Sequence, residues 1–141
     1  IEWLGVTRPG WSFLVLDALR PRSVQRLLWD HVVGTPEQGY VANPDRGSVH
    51  NYGCAIDLTL LDEHQNEVPM GTAFDAFIAL SEPRREKEFF EQGELSAEHL
   101  QNRQILRDAM TAGGFIPLPH EWWHFDAFPG EEIRKRFLII E

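Results

Sequence analysis

Two short clusters of histidine and acidic residues, far apart in the chain, contain side chains suited to binding a catalytic metal ion. In SVHNYGCAID, His50 precedes Asp57 by seven positions, and in HEWWHFD, Glu121 precedes His124 by three. His50, Asp57 and His124 would give a zinc ion three ligands and leave its fourth position to a water molecule. Glu121 would then be the general base, able to take a proton from that water during attack on a carbonyl and to return it to the departing amine.

The spacing of the first cluster requires a turn between its histidine and its aspartate. Side chains on a strand alternate between two faces, so an odd spacing would point His50 and Asp57 in opposite directions. Gly53 lies between them and tolerates backbone angles that other residues avoid, so the chain can turn there and bring His50 beside Asp57. The residues that follow, AIDLTLL, alternate with period two and predict a half-buried strand that contains Asp57.

The second cluster poses the same problem, because Glu121 and His124 are also an odd number of positions apart. Both can serve one site only if the chain bends near them. Proline restricts the backbone of the residue before it, and we expect the bend at Pro119 and His120. The sequence therefore predicts an irregular segment at this cluster.

Hydrophobic periodicity predicts an α+β fold around the two clusters. WSFLVLDAL is typical of a buried strand, and Pro21 suits the first turn of a helix that continues to about Val33. SAEHLQNRQILRDAMTAGG starts with an N-capping serine and ends at two glycines, which predicts a helix from about Ala97 to Ala112. DEHQN with EVPM indicates a hairpin turn and a short return strand, and FIPL, WWHFDAF and RFLII read as strands. The order of elements indicates a mainly antiparallel sheet with flanking helices.

The composition is typical of one globular domain, residues 1–141, and excludes several classes of function. No apolar run approaches the roughly 18–20 residues of a membrane helix, and we expect a soluble protein, cytoplasmic or, after removal of a leader, periplasmic. A formal net charge of −9 argues against nucleic acids and anionic membranes as partners. The single cysteine, Cys54, excludes a disulfide framework and paired Cys-x-x-Cys zinc sites, so a metal would need histidine and carboxylate ligands. Nothing in the sequence indicates the oligomeric state.

Four motifs together resemble the zinc D-alanyl-D-alanine peptidases related to the vancomycin-resistance dipeptidases. S-x-H-x-x-G-x-A-x-D matches the first cluster and E-x-W-H matches the second. LDALRP, at Leu16 to Pro21, and PMGTAFD, at Pro69 to Asp75, extend the similarity to the dipeptidase branch. The resemblance covers most of the chain and implies the α+β fold that these enzymes share with hedgehog-like domains.

The resemblance also implies roles for the residues of the two clusters. In that family the histidine, the aspartate and the second histidine bind one zinc ion, which would make His50, Asp57 and His124 the ligands. The glutamate of E-x-W-H is the general acid and base, which corresponds to Glu121. The implied substrate is the small dipeptide D-alanyl-D-alanine.

Three further residues take their roles from the other motifs of the family. The arginine of the first motif, Arg20, would stabilise the oxyanion that forms at the scissile carbonyl. Ser48 and Asp75 would bind the free ammonium end of the substrate. A dipeptide offers so little apolar surface that recognition of its charged ends must supply most of the specificity.

Two alternative functions remain open at this point. A D,D-carboxypeptidase would use the same chemistry on peptidoglycan stem peptides, although such relatives usually lack the MG-x-x-FD stretch found here. A non-catalytic zinc-binding domain, as in the hedgehog-type relatives, would not need Glu121 or Arg20. The presence of all these features favours the dipeptidase.

Overall fold

Four strands form one antiparallel sheet in the computed structural model, which describes residues 1–141. They are β1 (Ser12–Asp17), β2 (Ala55–Leu61), β3 (Ile116–Pro117) and β4 (His124–Asp126). Their order across the sheet is β1–β2–β4–β3, and each neighbouring pair is antiparallel. The predicted α+β fold with a mainly antiparallel sheet is confirmed.

Five α-helices surround this sheet, and one of them has the bounds predicted from sequence. They are α1 (Glu2–Thr7), α2 (Arg22–Val32), α3 (Glu86–Glu91), α4 (Ala97–Ala112) and α5 (Gly130–Arg136). Helix α4 begins after Ser96, whose side chain accepts a hydrogen bond from the backbone N–H of His99 and so satisfies a free donor of the first turn. No helix in the chain combines the length and the hydropathy that crossing a membrane requires.

The hydrophobic core lies between the sheet and helix α4. Leu60 of β2, Phe125 of β4 and Leu106 of α4 are each fully buried and belong to one cluster of twelve buried residues. Because side chains alternate along a strand, Leu58 and Leu60 face this core while Asp57 faces the other side of the sheet. The sheet therefore separates an apolar interior from a polar cavity.

Two segments differ from the sequence-based prediction. EVPM does not form a regular return strand, because its pairing with β2 is limited to a bridge between Leu61 and Glu67 and one further backbone hydrogen bond. The prediction of a strand at RFLII is wrong, since the first two of these residues end α5 and begin an irregular tail. In the tail, the Ile140 N–H donates to the carbonyl of Asn51, and the Ile140 carbonyl accepts from the N–H of Arg22. These are single hydrogen bonds to two different segments, so they do not form a β-ladder.

Candidate active site

The turn that carries His50 is fixed at both ends. Residues Val49–Tyr52 form a short 3₁₀ turn that Ser48 and Asn51 close reciprocally, the Ser48 Oγ accepting from the His50 N–H and the Asn51 side chain accepting from the Ser48 N–H. Gly53 ends the turn with a φ of 63°, in the left-handed region that favours glycine. The predicted reversal at Gly53 is confirmed, and it returns the chain into β2 beside His50.

A backbone hydrogen bond sets the orientation of the His50 ring. The His50 Nδ1 donates to the carbonyl oxygen of Ala18 at 2.7 Å, and a carbonyl can only accept. In a neutral imidazole the other nitrogen, Nε2, then carries a lone pair. That nitrogen points towards Asp57, whose Oδ2 lies 3.2 Å away.

Sheet register brings the other two members of the site together. Asp57 of β2 and His124 of β4 are direct cross-strand partners, so their side chains leave the sheet side by side. The Asp57 Oδ1 lies 3.0 Å from the His124 Nδ1, and the His50 Nε2 lies 3.2 Å from the same nitrogen. We call these three buried residues the His–Asp–His cluster; their ligand atoms all lie within 4.8 Å of one another.

Asp126 holds the second imidazole of the cluster. Its Oδ1 accepts a hydrogen bond from the His124 Nε2 at 2.8 Å, which leaves Nδ1 facing Asp57. Burial alone would lower the pKa of His124, but its contacts with Asp126 and Asp57 outweigh burial and raise the pKa to about 10. A carboxylate behind a ligating histidine is the usual device for orienting the ring and making it a stronger ligand.

The chemistry of the His–Asp–His cluster fits a metal ion. Burial alone would raise the pKa of Asp57, but contacts with His124 and His50 outweigh it and lower the pKa, so this buried carboxylate stays charged. Its Oδ1 is buried and makes no hydrogen bond of good geometry, and the nearest polar group is the His124 Nδ1 at 3.0 Å. A buried oxygen without a partner is costly unless a cation satisfies it. Two imidazole nitrogens and this oxygen could hold such a cation.

Glu121 lies beside the cluster on the irregular segment that the sequence predicts. The chain turns at 119–120 and again at 122–123 before β4 begins at His124, so Glu121 is outside the strand. Its Oε2 is 3.9 Å from the His124 Nδ1, and its side chain is 12% exposed. Burial, opposed by the nearby His124, raises the pKa of Glu121 to about 7.

Arg20 reaches the same site from the end of β1. Its Nε and Nη2 donate to the Asp17 Oδ2 at 2.8 and 2.5 Å, its Nη1 donates to the Gln25 Oε1 at 2.9 Å, and its Nη2 is 3.9 Å from the Asp57 Oδ2. The backbone N–H of Arg20 also donates to the carbonyl of His50. The guanidinium is therefore held in place by a carboxylate and an amide before any substrate arrives.

One cavity of about 310 Å³ joins all seven residues that the sequence singles out. Ser48 lines it, with its hydroxyl already used to cap the His50 turn. Asp75 is exposed at the rim, with a φ of 56° that is rare for a residue other than glycine. Partial burial and the charge of Asp57 raise the pKa of Asp75. A volume near 300 Å³ is at the lower end of the range for ligand pockets, as a small substrate requires.

Comparison with known proteins assigns the chain that forms this cavity to a family. The family model described as D-ala-D-ala dipeptidase matches residues 6–140, nearly the whole chain. The chain belongs to the D-ala-D-ala dipeptidase family. Its His–Asp–His cluster, Glu121 and Arg20 all fall within the region that this dipeptidase family model covers.

Individual members of the dipeptidase family show the same similarity. The D-alanyl-D-alanine dipeptidase of Escherichia coli K12 is 37% identical over 117 residues, which cover 83% of this chain and 55% of that protein. The D-alanyl-D-alanine dipeptidase of Synechocystis is 32% identical over 83% of this chain and 60% of that protein. That of Enterococcus faecium is 38% identical over 62% of this chain and 39% of its own length. The chain thus spans little more than half of the first two relatives.

Sequence reasoning missed the residues that orient the site. Asp126 was available from the sequence, because it follows His124 by two positions and residues two apart on a strand share a face. Asp17 was also close at hand, three residues before Arg20. Gln25 had no signal, since its contact with Arg20 depends on how helix α2 packs against the end of β1.

Proposed function

We propose that this chain hydrolyses the peptide bond of D-alanyl-D-alanine with one zinc ion bound by His50, Asp57 and His124. The observation that carries the proposal is the convergence of these three side chains, within 4.8 Å of one another, in a cavity that Glu121 also lines. Membership of the dipeptidase family and the names of the relatives support the same activity.

Zinc suits the donor set better than harder cations do. Two imidazole nitrogens and one carboxylate oxygen are typical ligands of a catalytic zinc, whereas magnesium and calcium prefer oxygen ligands alone. A zinc ion bound there would act as a Lewis acid on the scissile carbonyl and lower the pKa of a water molecule. The chain's contribution is to hold both rings rigidly, through Ala18 behind His50 and Asp126 behind His124.

Glu121 is proposed to move the proton. A general base works best when its pKa is near the working pH, and burial raises the pKa of Glu121 to about 7. Its carboxylate makes no side-chain hydrogen bond that would compete, and it lies against the His–Asp–His cluster. The Glu121 carboxylate would take a proton from the attacking water and give it to the amine nitrogen of the departing D-alanine.

Arg20 is proposed to stabilise the negative charge that develops on the carbonyl oxygen. A guanidinium has five N–H donors, and three of those of Arg20 are used by Asp17 and Gln25. Two donors remain for the substrate. Removing a positioned donor of this kind typically costs about 10²–10³ in rate.

Asp75 and Ser48 are proposed to bind the ammonium end of the dipeptide. Asp75 supplies a carboxylate at the rim of the cavity, held in an unusual backbone conformation of the kind often kept at functional sites. Ser48 has an oxygen that already accepts from the His50 N–H and can accept a second hydrogen bond.

The test combines metal analysis with a cleavage assay on the purified chain and its Glu121→Gln variant. We expect one bound zinc ion in both proteins, with hydrolysis of D-alanyl-D-alanine by the unaltered chain only. Unchanged turnover in Glu121→Gln would remove Glu121 from its role. A chain that rejects the free dipeptide but cleaves a longer peptide ending in D-alanyl-D-alanine would be a carboxypeptidase, and one that binds zinc but cleaves neither would contradict the enzymatic proposal.

A further inference from the structure

Two arginines line the cavity, and they differ in their partners. Arg20 is paired with Asp17 and lies near Asp57. Arg134, from helix α5, has no carboxylate within 4.0 Å, so its charge is not neutralised by a neighbouring side chain. Its guanidinium contacts two backbone carbonyls and the Tyr52 ring, all of them uncharged. A fixed cation in a cavity wall that has no anion beside it is suited to bind an anionic group of a ligand.

The Arg134 side chain is held in position by two backbone carbonyls and a ring. Its Nη1 donates to Gly130 at 3.1 Å, its Nη2 donates to Gly47 at 3.2 Å, and its guanidinium carbon lies 5.9 Å from the centre of the Tyr52 ring. The preceding residue, Ile133, is fully buried and anchors α5. These contacts use two of the five N–H donors, and the Nε donor is buried without a partner.

The remaining charges of the cavity wall explain why an anionic ligand would need this residue. Asp57, Asp75, Glu121 and Asp126 all line the cavity, so the wall carries more carboxylates than arginines. A free dipeptide carries an ammonium at one end and a carboxylate at the other, and acidic side chains repel the second. Arg134 is the arginine of the wall that is not already paired.

We infer that Arg134 binds the C-terminal carboxylate of the substrate. The inference rests on the proposed function and deepens it, because it requires that the residue released by hydrolysis has a free carboxylate. One of the two carbonyls that Arg134 contacts belongs to Gly47, three positions before His50. In a dipeptide the terminal carboxylate carbon is one residue, about 3.5 Å, from the scissile carbonyl carbon, so both groups fit in one small cavity.

A purely structural role for Arg134 predicts a different result. Its two carbonyl contacts connect α5 to the loop before Ser48, and loss of that connection would disturb the site for every substrate. A carboxylate-binding role concerns only substrates that have a carboxylate. The two roles can therefore be separated by changing the substrate and the residue together.

The experiment compares D-alanyl-D-alanine with its C-terminal amide, using the zinc-loaded chain and three variants. Arg134→Met removes the charge and keeps the length, and Arg134→Lys keeps the charge without the fork of donors. Arg136→Met is the matched control, since Arg136 is exposed on the same helix and pairs with Glu132. Circular dichroism and zinc content are measured for each protein before kcat/KM.

We expect the unaltered chain to prefer the free acid over the amide by about 10- to 100-fold in kcat/KM, the range for charge-assisted hydrogen bonds. In Arg134→Met, kcat/KM should fall by this factor for the free acid and stay unchanged for the amide. Arg134→Lys should have an intermediate kcat/KM for the acid, and Arg136→Met should match the unaltered chain on both substrates. Equal loss on both substrates, or no preference in the unaltered chain, would overturn the inference. Absence of a preference in the unaltered chain needs no variant to reject the inference. If Arg134→Met does not fold, Arg134→Lys tests it, because that variant should reduce the preference for the acid and keep the rate on the amide.

Failure of the proposed function gives a distinct result. In that case the zinc-loaded, unaltered chain would hydrolyse neither the dipeptide nor its amide, and the assignment of Arg134 would be withdrawn with it. Hydrolysis of both at equal rates would instead leave the dipeptidase activity intact and reject Arg134 alone.

Discussion

Replacing Asp126 with alanine should weaken zinc binding without unfolding the chain. Asp126 accepts a hydrogen bond from the His124 Nε2 at 2.8 Å and is not itself a member of the His–Asp–His cluster. Without it, the His124 ring loses the contact that fixes its rotation and that increases the electron density on Nδ1. The backbone of β4 remains paired to β2 and β3, so the sheet should form normally.

The size of the effect follows from the geometry of this one hydrogen bond. Bonds to charged groups contribute about 1.5–3 kcal/mol, and every 1.4 kcal/mol is a factor of ten in affinity, which gives a loss of about 10- to 100-fold. The side chains of His124 and Asp126 are 8% and 16% exposed, so water replaces the lost partner poorly. The Asp126→Asn variant should lose less, because its amide oxygen can still accept from Nε2.

Zinc affinity can be measured by competition with a chromophoric chelator. The matched control is Asp108→Ala, which removes an exposed carboxylate of α4 that contacts only Gln104 and should leave the affinity unchanged. An Asp126→Ala protein that is folded and binds zinc as tightly as the unaltered chain would refute the argument that the carboxylate supports His124.

Three further predictions concern stability and the position of Arg20. Zinc at 100 times its dissociation constant should add about 2.7 kcal/mol to the free energy of unfolding and raise Tm by roughly 5–11 °C in a thermal scan. His50→Ala should abolish this shift in Tm, and an equal shift in that variant would place the metal elsewhere. Gln25→Ala removes the 2.9 Å contact with Arg20 and should lower kcat about tenfold in the dipeptide assay, with the zinc content unchanged. A normal kcat would show that Asp17 alone positions the guanidinium. Arg103→Met deprives two carbonyls of a buried donor and should cost about 2–6 kcal/mol in urea unfolding, so a loss below about 1 kcal/mol would contradict the assigned contacts.

The parts of the site that could be predicted are those set by local geometry. The odd spacing of His50 and Asp57, with Gly53 between them, required a turn, and the structure has one with a left-handed glycine. The capping serine and the two glycines that bound α4 are also local signals, and they gave the bounds of that helix correctly.

The parts that could not be predicted depend on contacts between distant segments. That Asp57 faces His124 follows from the pairing of β2 with β4, which are separated by more than sixty residues and whose register no single strand encodes. RFLII has the apolar, β-branched composition of a strand, but its first residue, Arg136, completes α5. In that helix, acidic residues at the start and basic residues at the end suit the helix dipole. Arg134 had no signal in the sequence, because its place in the cavity wall depends on how α5 packs.

The backbone hydrogen bonds of Ile140 connect the tail to the turn that carries His50 and to the segment that carries Arg20. Its N–H bonds to Asn51, next to a proposed ligand, and its carbonyl bonds to Arg22, two residues after Arg20. Tension or fraying at residues 138–140 would therefore loosen the histidine turn and the arginine together. Deletion of residues 138–140 should consequently reduce turnover without removing any group that contacts substrate.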